Sequence, residues 1–220
     1  MLKRILGIYG ASGLGREVLE LADIINVKYQ YWDKIIFIDD NENLNEVNNI
    51  KVYTYQKAVE LYKPVLEGVI AIGEPEIKHK LYDKLVHNGI GFATLIHPDI
   101  HIPQTTTVGR GSVINVGAFI SCNVQIEENV YIQPHANVGH DCILAKGCVI
   151  SGFANIGGNC YIGKKSYIGL STCIKQGIKI GDGTIIGMAS AVYKDIPSDV
   201  IAIGNPARVM KKNEDKRVFR

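Results

Sequence analysis

Aliphatic residues recur every six positions through the second half of this chain. Stepping by six from Ile102, the residues are Val108, Ile114, Ile120, Ile126, Ile132, Val138, Leu144, Ile150, Ile156, Ile162, Ile168, Ile174, Ile180, Ile186 and Val192, before Ser198 breaks the series. Four residues past each spine position, between Thr106 and Ser190, twelve of fifteen residues are Ala, Ser, Thr or Cys. The residue just after the spine is often Gly, as at Gly109, Gly139, Gly157, Gly163, Gly169, Gly181 and Gly187. An unbroken short repeat of this kind predicts a β-solenoid. Each unit reads as a short strand and a tight corner. The branched aliphatic faces inward, the small residue fits where the corner narrows, and Gly tolerates the turn geometry. Three units close a triangular coil of 18 residues, stacked about 4.8 Å above the last, so the series makes a little over five coils.

Residues 1–95 carry a different pattern. Arg4–Tyr9 is a short apolar strand, followed by the turn Gly10-Ala11-Ser12-Gly13-Leu14-Gly15 and a helix with Val18, Leu19, Leu21, Ala22 and Ile25 on one stripe. A second strand, Lys34–Ile38, ends at Asp39-Asp40-Asn41; a third, Val69–Ile72, runs into Gly73-Glu74-Pro75 and a helix from about Glu76 to His87. Alternating strand and helix predicts a small parallel α/β sheet of Rossmann type. Two domains follow: a nucleotide-binding unit over 1–95 and a solenoid with a C-terminal tail over 96–220. Glycines between a strand and a helix let backbone N–H groups approach a phosphate at the positive helix end. An acid closing the second strand, here Asp39 or Asp40, accepts hydrogen bonds from a ribose or base. NAD is set aside, because about 95 residues supply only half of a dinucleotide fold.

Composition sharpens this picture. The 220 residues hold 17 aromatics but 32 Ile and 23 Gly, which suits a thin repetitive β core. Charges nearly cancel, 24 Lys+Arg against 22 Asp+Glu, and the tail Lys211–Arg220 alone holds five of the basic residues. A nucleic-acid protein would need a clustered basic face, and 46% hydrophobic content with 21% charge excludes a disordered chain. Cys122, Cys142, Cys148, Cys160 and Cys173 are odd in number and lack a C-x-x-C, so neither a disulfide framework nor a zinc knuckle is indicated. Cys142, Cys148 and Cys160 occupy the small slot and read as packing residues. Lys3-Arg4-Ile5-Leu6 is cut at Gly7, too short for a signal peptide. No stretch approaches the roughly 18 apolar residues of a membrane span. The expectation is a cytoplasmic protein.

The solenoid resembles that of the hexapeptide-repeat acyltransferases, which implies a left-handed parallel β-helix, trimers, and acyl-CoA lying between neighbouring prisms. A closer resemblance rests on six segments in order: Tyr9-Gly10-Ala11-Ser12-Gly13-Leu14-Gly15-Arg16-Glu17-Val18, Ile38-Asp39-Asp40-Asn41, Ala71-Ile72-Gly73, Ile96-His97-Pro98, Gly139-His140-Asp141-Cys142 and Gly204-Asn205-Pro206-Ala207-Arg208. From about Ile5 to Lys211 the chain is similar to the sugar O-/N-acetyltransferases, which include bacillosamine- and perosamine-pathway N-acetyltransferases and the sialic acid O-acetyltransferase. The resemblance implies that the N-terminal unit holds a nucleotide-linked amino sugar through Gly10, Ser12, Gly13, Leu14, Gly15, Asp39, Asp40 and Gly73. It implies that the β-helix holds acetyl-CoA, with no metal.

Acetyl transfer from a thioester needs an amine with a free lone pair, a proton acceptor and a donor for the developing oxyanion. His140 lies two residues past spine Val138, hence outside the core at a corner, and a His near its natural pKa suits the acceptor role. Asp141 follows it and can fix its tautomer. By themselves these are two corner residues; the resemblance makes His140 the general base for a sugar 4-amino group, with Asp141 its partner and no acyl-enzyme. Cys142 beside them points inward.

For the acetyl-CoA, Gly152, Leu170 and Met188 each lie two residues past an inward Ile, 18 apart, and so form one column. The resemblance puts Leu170, Gly187 and Met188 along the pantetheine arm and Pro206, Arg208 and the basic tail near the CoA phosphates. Three departures stand out. Val149 occupies the place where some relatives carry a second His against the thioester, Leu14 replaces a frequent His, and Glu74 a frequent Asn.

The same residues admit other readings. Sialic acid O-acetylation would use His140 in the same role. His135 and His140 have the spacing of γ-class carbonic anhydrases, but the third ligand would have to be His97 or His101, before the solenoid, and residues 1–95 would have no use. A non-catalytic trimeric scaffold or nucleotide sensor would not need the His-Asp pair. The expectation is a homotrimeric acetyl-CoA-dependent N-acetyltransferase with its sites at subunit interfaces.

Overall fold

The computed structural model describes residues 4–219; Met1–Lys3, with the first residue of the Lys3–Leu6 run, and Arg220 of the tail lie outside the described residues. The N-terminal unit is built on strands β1 (Ile5–Tyr9), β2 (Lys34–Ile38), β3 (Glu46–Val47), β4 (Ile50–Tyr53), β5 (Leu66–Ile70) and β6 (Gly91–Phe92). Their order across the sheet is β3-β4-β2-β1-β5-β6, parallel throughout except for the β3/β4 hairpin. Helices α1 (Gly13–Tyr29), α2 (Tyr55–Tyr62) and α3 (Pro75–His87) connect or flank them. The stripe Val18, Leu19, Leu21, Ala22 and Ile25 is buried as its spacing predicts. Pro75 opens α3 at a position where its missing N–H costs nothing.

Elements β3, β4, α2 and β6 carry no sequence signal long enough to read. The hairpin turns at Asn48-Asn49, both left-handed (φ 49 and 61), as a two-residue turn between antiparallel strands requires. The third predicted strand begins three residues earlier than its apolar run, at Leu66.

The second unit is a left-handed parallel β-helix of two-residue strands. Its three faces pair residues 18 apart, for example Asn137↔Asn155, Gln125↔Ile143 and Tyr131↔Val149. Face I carries Val113–Ile114, Tyr131–Ile132, Val149–Ile150, Tyr167–Ile168 and Ile185–Ile186; face II carries Phe119–Ile120 to Ala191–Val192; face III carries Thr107–Val108 to Lys179–Ile180. The spine from Ile114 to Val192 fills the prism interior, with Ile96, Ile102 and Val108 packed partly buried at its first turn. Pairing starts one unit before the predicted spine, where Leu95–Ile96 joins Val113–Ile114. The series breaks at Ser198 because the last coil is two residues short, pairing Ile185↔Ile201 and bridging Ile180↔Ile196. The helix itself continues.

Two details revise the local reading of the repeat. The glycines after the spine are not the residues that turn the corner. The left-handed residue is the third after the spine, and it is non-glycine at Asn123, Asn129, His135, Asp141, Phe153, Asn159, Lys165, Ser171 and Ala189. The spine-following glycines are required by stacking instead: a Cβ on Gly139 would sit 2.6 Å from the backbone N of Gly158 in the next coil. The small slot also does more than save volume. Ser166 Oγ donates to Gly181 O at 2.8 Å and Thr184 Oγ1 to Pro197 O at 2.7 Å, tying each corner to the coil above. Cys142, Cys148 and Cys160 lie buried in this slot, and Cys142 Sγ donates to Gly157 O at 3.2 Å. Its contact with Cys160 and its burial push the Cys142 thiol far up, so it is no thiolate at neutral pH.

The two units share a core. Outward residues of face I (Val113, Tyr131, Val149, Tyr167, Ile185) pack with Leu6, Ile8 and the α1 stripe. Helix α3 runs along the corner between faces III and I, where Tyr82 Oη accepts from Arg110 Nε at 2.9 Å and Glu76 pairs with Lys165 at 3.0 Å. Lys78, 1% exposed, donates to the Asn129 carbonyl.

Candidate functional site

Three groups of residues singled out by the sequence come to three different places, two corners of the prism and one edge of the α/β sheet. The first is the corner between faces II and III. There Asp141 takes the left-handed conformation at φ 58, which turns its carboxylate back toward the preceding side chain. His140 Nδ1 lies 2.7 Å from Asp141 Oδ2, and Asn123 Nδ2 donates to Asp141 Oδ1 at 2.9 Å. Asn123 is 18 residues earlier and therefore directly beneath. The hydrogen bond from His140, then that from Asn123, holds the Asp141 carboxyl below the usual carboxylate range. An ionised Asp141 fixes Nδ1 as the donor and leaves Nε2 with its lone pair. The ring lies over Gly158 of the next coil, where a Cβ would come 2.5 Å from Nε2. Both side chains are about half exposed. Such a group can take a proton from a nucleophile docked at the corner.

The second group is at the corner between faces I and II. Gly152, Leu170 and Met188 stack there, a Gly152 Cβ falling 3.4 Å from Leu170 Cδ2. Leu170 is 46% and Met188 72% exposed, an apolar ridge open to solvent. The loop Gly204–Arg208 closes the end of this corner: Ala191 N donates to Gly204 O at 3.0 Å and Ala207 N to Ala191 O at 2.8 Å. Gly187 stacks under Ile203, and Arg208 pairs with Ile203 in the antiparallel closing strand. An apolar ridge ending in an exposed guanidinium suits a long thioester carrier with a phosphorylated end. Gly152, Leu170, Gly187, Met188, Pro206 and Arg208 therefore share one region. Val149 does not: it is 1% exposed, enclosed by the α/β unit on face I. Its expected cofactor contact is corrected to a packing role. His135 also belongs to this corner, stacked on Phe153 at 5.0 Å, on the far side of face II from His140. Among the described residues no three His, Cys, Asp or Glu side chains converge to hold a metal.

The third group is the glycine turn at the carboxyl end of β1. Gly10 (φ 110) and Gly15, whose Cβ would fall 2.0 Å from Gly10 O, let α1 start close against the strand. Ser12 makes no side-chain cap to α1, and the first turn contains no acid, so the helix start presents uncapped N–H groups of the kind that suit an anion. Beside Gly13 a Cβ would meet only the Arg16 guanidinium, at 3.9 Å. Asp39 secures the turn, its Oδ2 accepting from Ala11 N at 3.1 Å and its Oδ1 from Asn41 N at 3.0 Å. Asp40 is engaged more heavily. It accepts from Tyr9 Oη at 2.7 Å, Tyr55 N at 3.1 Å and Lys84 Nζ at 3.4 Å. Burial pushes its carboxyl up, but the Tyr9 and Tyr55 hydrogen bonds and the Lys84 charge outweigh it and hold the carboxyl low.

Sequence reasoning missed several of these partners. Asn123 is recognisable only once the 18-residue stacking is applied to Asp141. Lys84, Tyr9 and Tyr55 come from three elements, and nothing local connects them. The tail also departs from expectation beyond Arg208. Residues 208–212 run back along face I, and Asn213, buried, donates Nδ2 to Gly183 O at 2.8 Å. Lys216 then pairs with Asp199. The last residues reach the N-terminal unit, where Glu74 accepts from Val218 N at 2.8 Å and Phe219 N at 2.7 Å. Past Arg208 the basic tail thus leads away from the apolar ridge, by way of the corner between faces III and I, to the N-terminal unit.

Residues 5–85 match the family described as the PglD N-terminal domain, and residues 123–158 match the bacterial transferase hexapeptide family (six repeats). GDP-perosamine N-acetyltransferase of Escherichia coli O157:H7 is 29% identical over 219 residues, covering 95% of this chain and 97% of that protein. The acetyltransferase domain of PglB from Neisseria gonorrhoeae FA1090, solved with acetyl coenzyme A, superposes with a TM-score of 0.88 at 30% identity, over 95% of this chain and 100% of that one. WeeI from Acinetobacter baumannii AYE superposes equally well at 27% identity, over 94% and 100%.

Proposed function

The chain belongs to the sugar acetyltransferases built from a PglD-type N-terminal domain and hexapeptide repeats, and from that premise we propose that it moves the acetyl group of acetyl-CoA to the 4-amino group of a nucleotide-linked amino-deoxysugar. The observation that carries this reading is the coexistence in one chain of a glycine turn with an uncapped, acid-free helix start and the His140–Asp141 pair. The first suits the diphosphate of the acceptor, the second the proton of its amine. The relatives that resemble the chain over nearly its whole length include an N-acetyltransferase for GDP-perosamine and a domain that binds acetyl coenzyme A.

In this reading Gly10, Ser12, Gly13, Leu14, Gly15 and Gly73 cradle the diphosphate and sugar, and Asp39 keeps lone pairs for the nucleoside. Asp40 acts through Tyr9 and Lys84. The ridge of Gly152, Leu170, Gly187 and Met188 takes the pantetheine arm, and Pro206 and Arg208 the phosphorylated end. Asp141 holds the His140 proton on Nδ1. As the amine nitrogen bonds to the acetyl carbon, Nε2 accepts the amine proton; the carbon–sulfur bond then breaks, and the departing sulfur takes that proton to leave as the CoA thiol. No protein nucleophile takes part.

The ridge and His140 flank opposite edges of face II, and the glycine turn belongs to a unit docked on face I. This separation of the three groups on one chain supports a homotrimer in which each site is shared between neighbouring prisms. The test is product analysis. Incubation with acetyl-CoA and nucleotide-linked 4-aminohexoses should give an alkali-stable amide at nitrogen. An alkali-labile ester, or acetylation of free sialic acid alone, would replace this reading with O-acetyl transfer.

A further inference from the structure

The glycine turn has a neighbour that neither the repeat nor the turn predicts. Phe219 lies against Gly73, its Cε2 3.0 Å from where a Cβ would be, while Leu14 Cδ2 lies 4.0 Å from the same point. Its ring edge meets Tyr167 of face I at 5.7 Å and 84°, and the remainder is open, leaving the residue 56% exposed. The ring is held from behind. Both oxygens of Glu74 are taken up by the backbone N–H groups of Val218 and Phe219. Upstream, Asn213 is tied to Gly183 and Asp199, and Lys216 to Asp199.

The sheet order says which part of the acceptor this ring meets. Across the carboxyl edge the strands run β2, β1, β5. Asp39 and Asp40 end β2, the glycine turn ends β1, and Gly73 follows β5. A ligand with its nucleoside at β2 and its phosphates on the amino end of α1 extends its remaining group past β1 toward β5. That group is the hexose, and at β5 it meets Leu14 and Phe219. Neither can donate or accept a hydrogen bond, so the wall they form favours a sugar edge lacking a hydroxyl and disfavours one that would lose its hydration there.

Building on the proposed function, we infer that the C-terminal segment is a wall of the acceptor site. Phe219 and Leu14 pack against the deoxygenated edge of the hexose, and Glu74 is the clamp that positions Phe219 rather than a substrate ligand. The test is titration calorimetry of the full chain with UDP-, dTDP- and GDP-linked 4-amino-4,6-dideoxyhexoses, and with the matching nucleoside diphosphates. Phe219→Ala should weaken the preferred nucleotide sugar by about tenfold, the scale of one aromatic contact, and leave the nucleoside diphosphate within about twofold. Glu74→Gln should do the same more mildly, and Phe219→Leu should restore part of the loss. If wild-type protein binds the nucleotide sugar and Phe219→Ala binds it equally well, the wall is overturned while the proposed function stands. Wild-type protein that binds none of the panel overturns both.

Discussion

His140 Nδ1 and Asp141 Oδ2 are 2.7 Å apart, a contact between adjacent residues that exists because Asp141 sits at the left-handed corner position. The imidazole is thereby held in one tautomer with Nε2 outward. Replacing Asp141 by Asn keeps the shape but removes the charge that enforces this tautomer. The expected result is a fall in kcat of about 10²-fold or more, with the KM for acetyl-CoA little changed. The carboxyl titrates below the usual range in the folded chain. Its hydrogen bond is therefore intact through neutral and mildly acidic pH and is lost only as pH falls through that lowered value. Carbon-13 NMR of the Asp141 carboxyl follows this directly, and Asn123→Ala should move its titration upward.

Gly158 provides an orthogonal probe. A Cβ there would come 2.5 Å from His140 Nε2, so Gly158→Ala must displace the ring and not the coil. Activity should drop by about 10²-fold, while thermal unfolding shifts little. Gly139→Ala should behave in the opposite way, because its Cβ meets the Gly158 backbone at 2.6 Å and the coil itself must move.

The spine makes a plainer prediction. Ile150 is fully buried in the prism, so Ile150→Ala should cost about 2–5 kcal/mol and Ile150→Val about 0.5–1.5 kcal/mol, measured by denaturant unfolding. Equal effects from the two would contradict a packed interior at this position.

Lys78 gives the structure a pH signature. Burial pulls its amine down from 10.5 to about 7. Between those values the unfolded chain binds the extra proton, so stability should rise as pH increases from about 7 to about 10.5 and be flat in this respect below 7. Lys78→Met should remove that slope. Unfolding curves of both proteins across this window provide the check, and an unchanged slope would place its origin in another group.

The prism was legible because one side chain type must return to the same inward position every six residues, and a run from Ile102 to Val192 leaves no other period. The glycine turn was legible because strand, glycines and amphipathic stripe are contiguous. What escaped has a common physical origin. The left-handed corner tolerates Asn123, His135, Asp141, Phe153 and Lys165 alike, so composition hides it and the glycines drew attention to the wrong position. Val149 has the same local pattern as any outward strand residue, and only the docking of α1 on face I buries it. Glu74 and Phe219 are 145 residues apart, and no local rule joins them. The Asn123–Asp141 hydrogen bond was latent in the 18-residue stacking but required the corner geometry to be known.

Acetyl transfer through His140 is read out by release of the CoA thiol when acetyl-CoA and a panel of UDP-, dTDP- and GDP-linked 4-amino-deoxyhexoses are mixed with wild-type protein and with His140→Ala. The wild type should release thiol rapidly with one nucleotide amino sugar. His140→Ala should lose about 10²–10⁴-fold, with its mass in solution and its nucleotide-sugar affinity unchanged. A His140→Ala protein that turns over at a near-normal rate, or a wild type silent across the panel, would contradict acetyl transfer through His140.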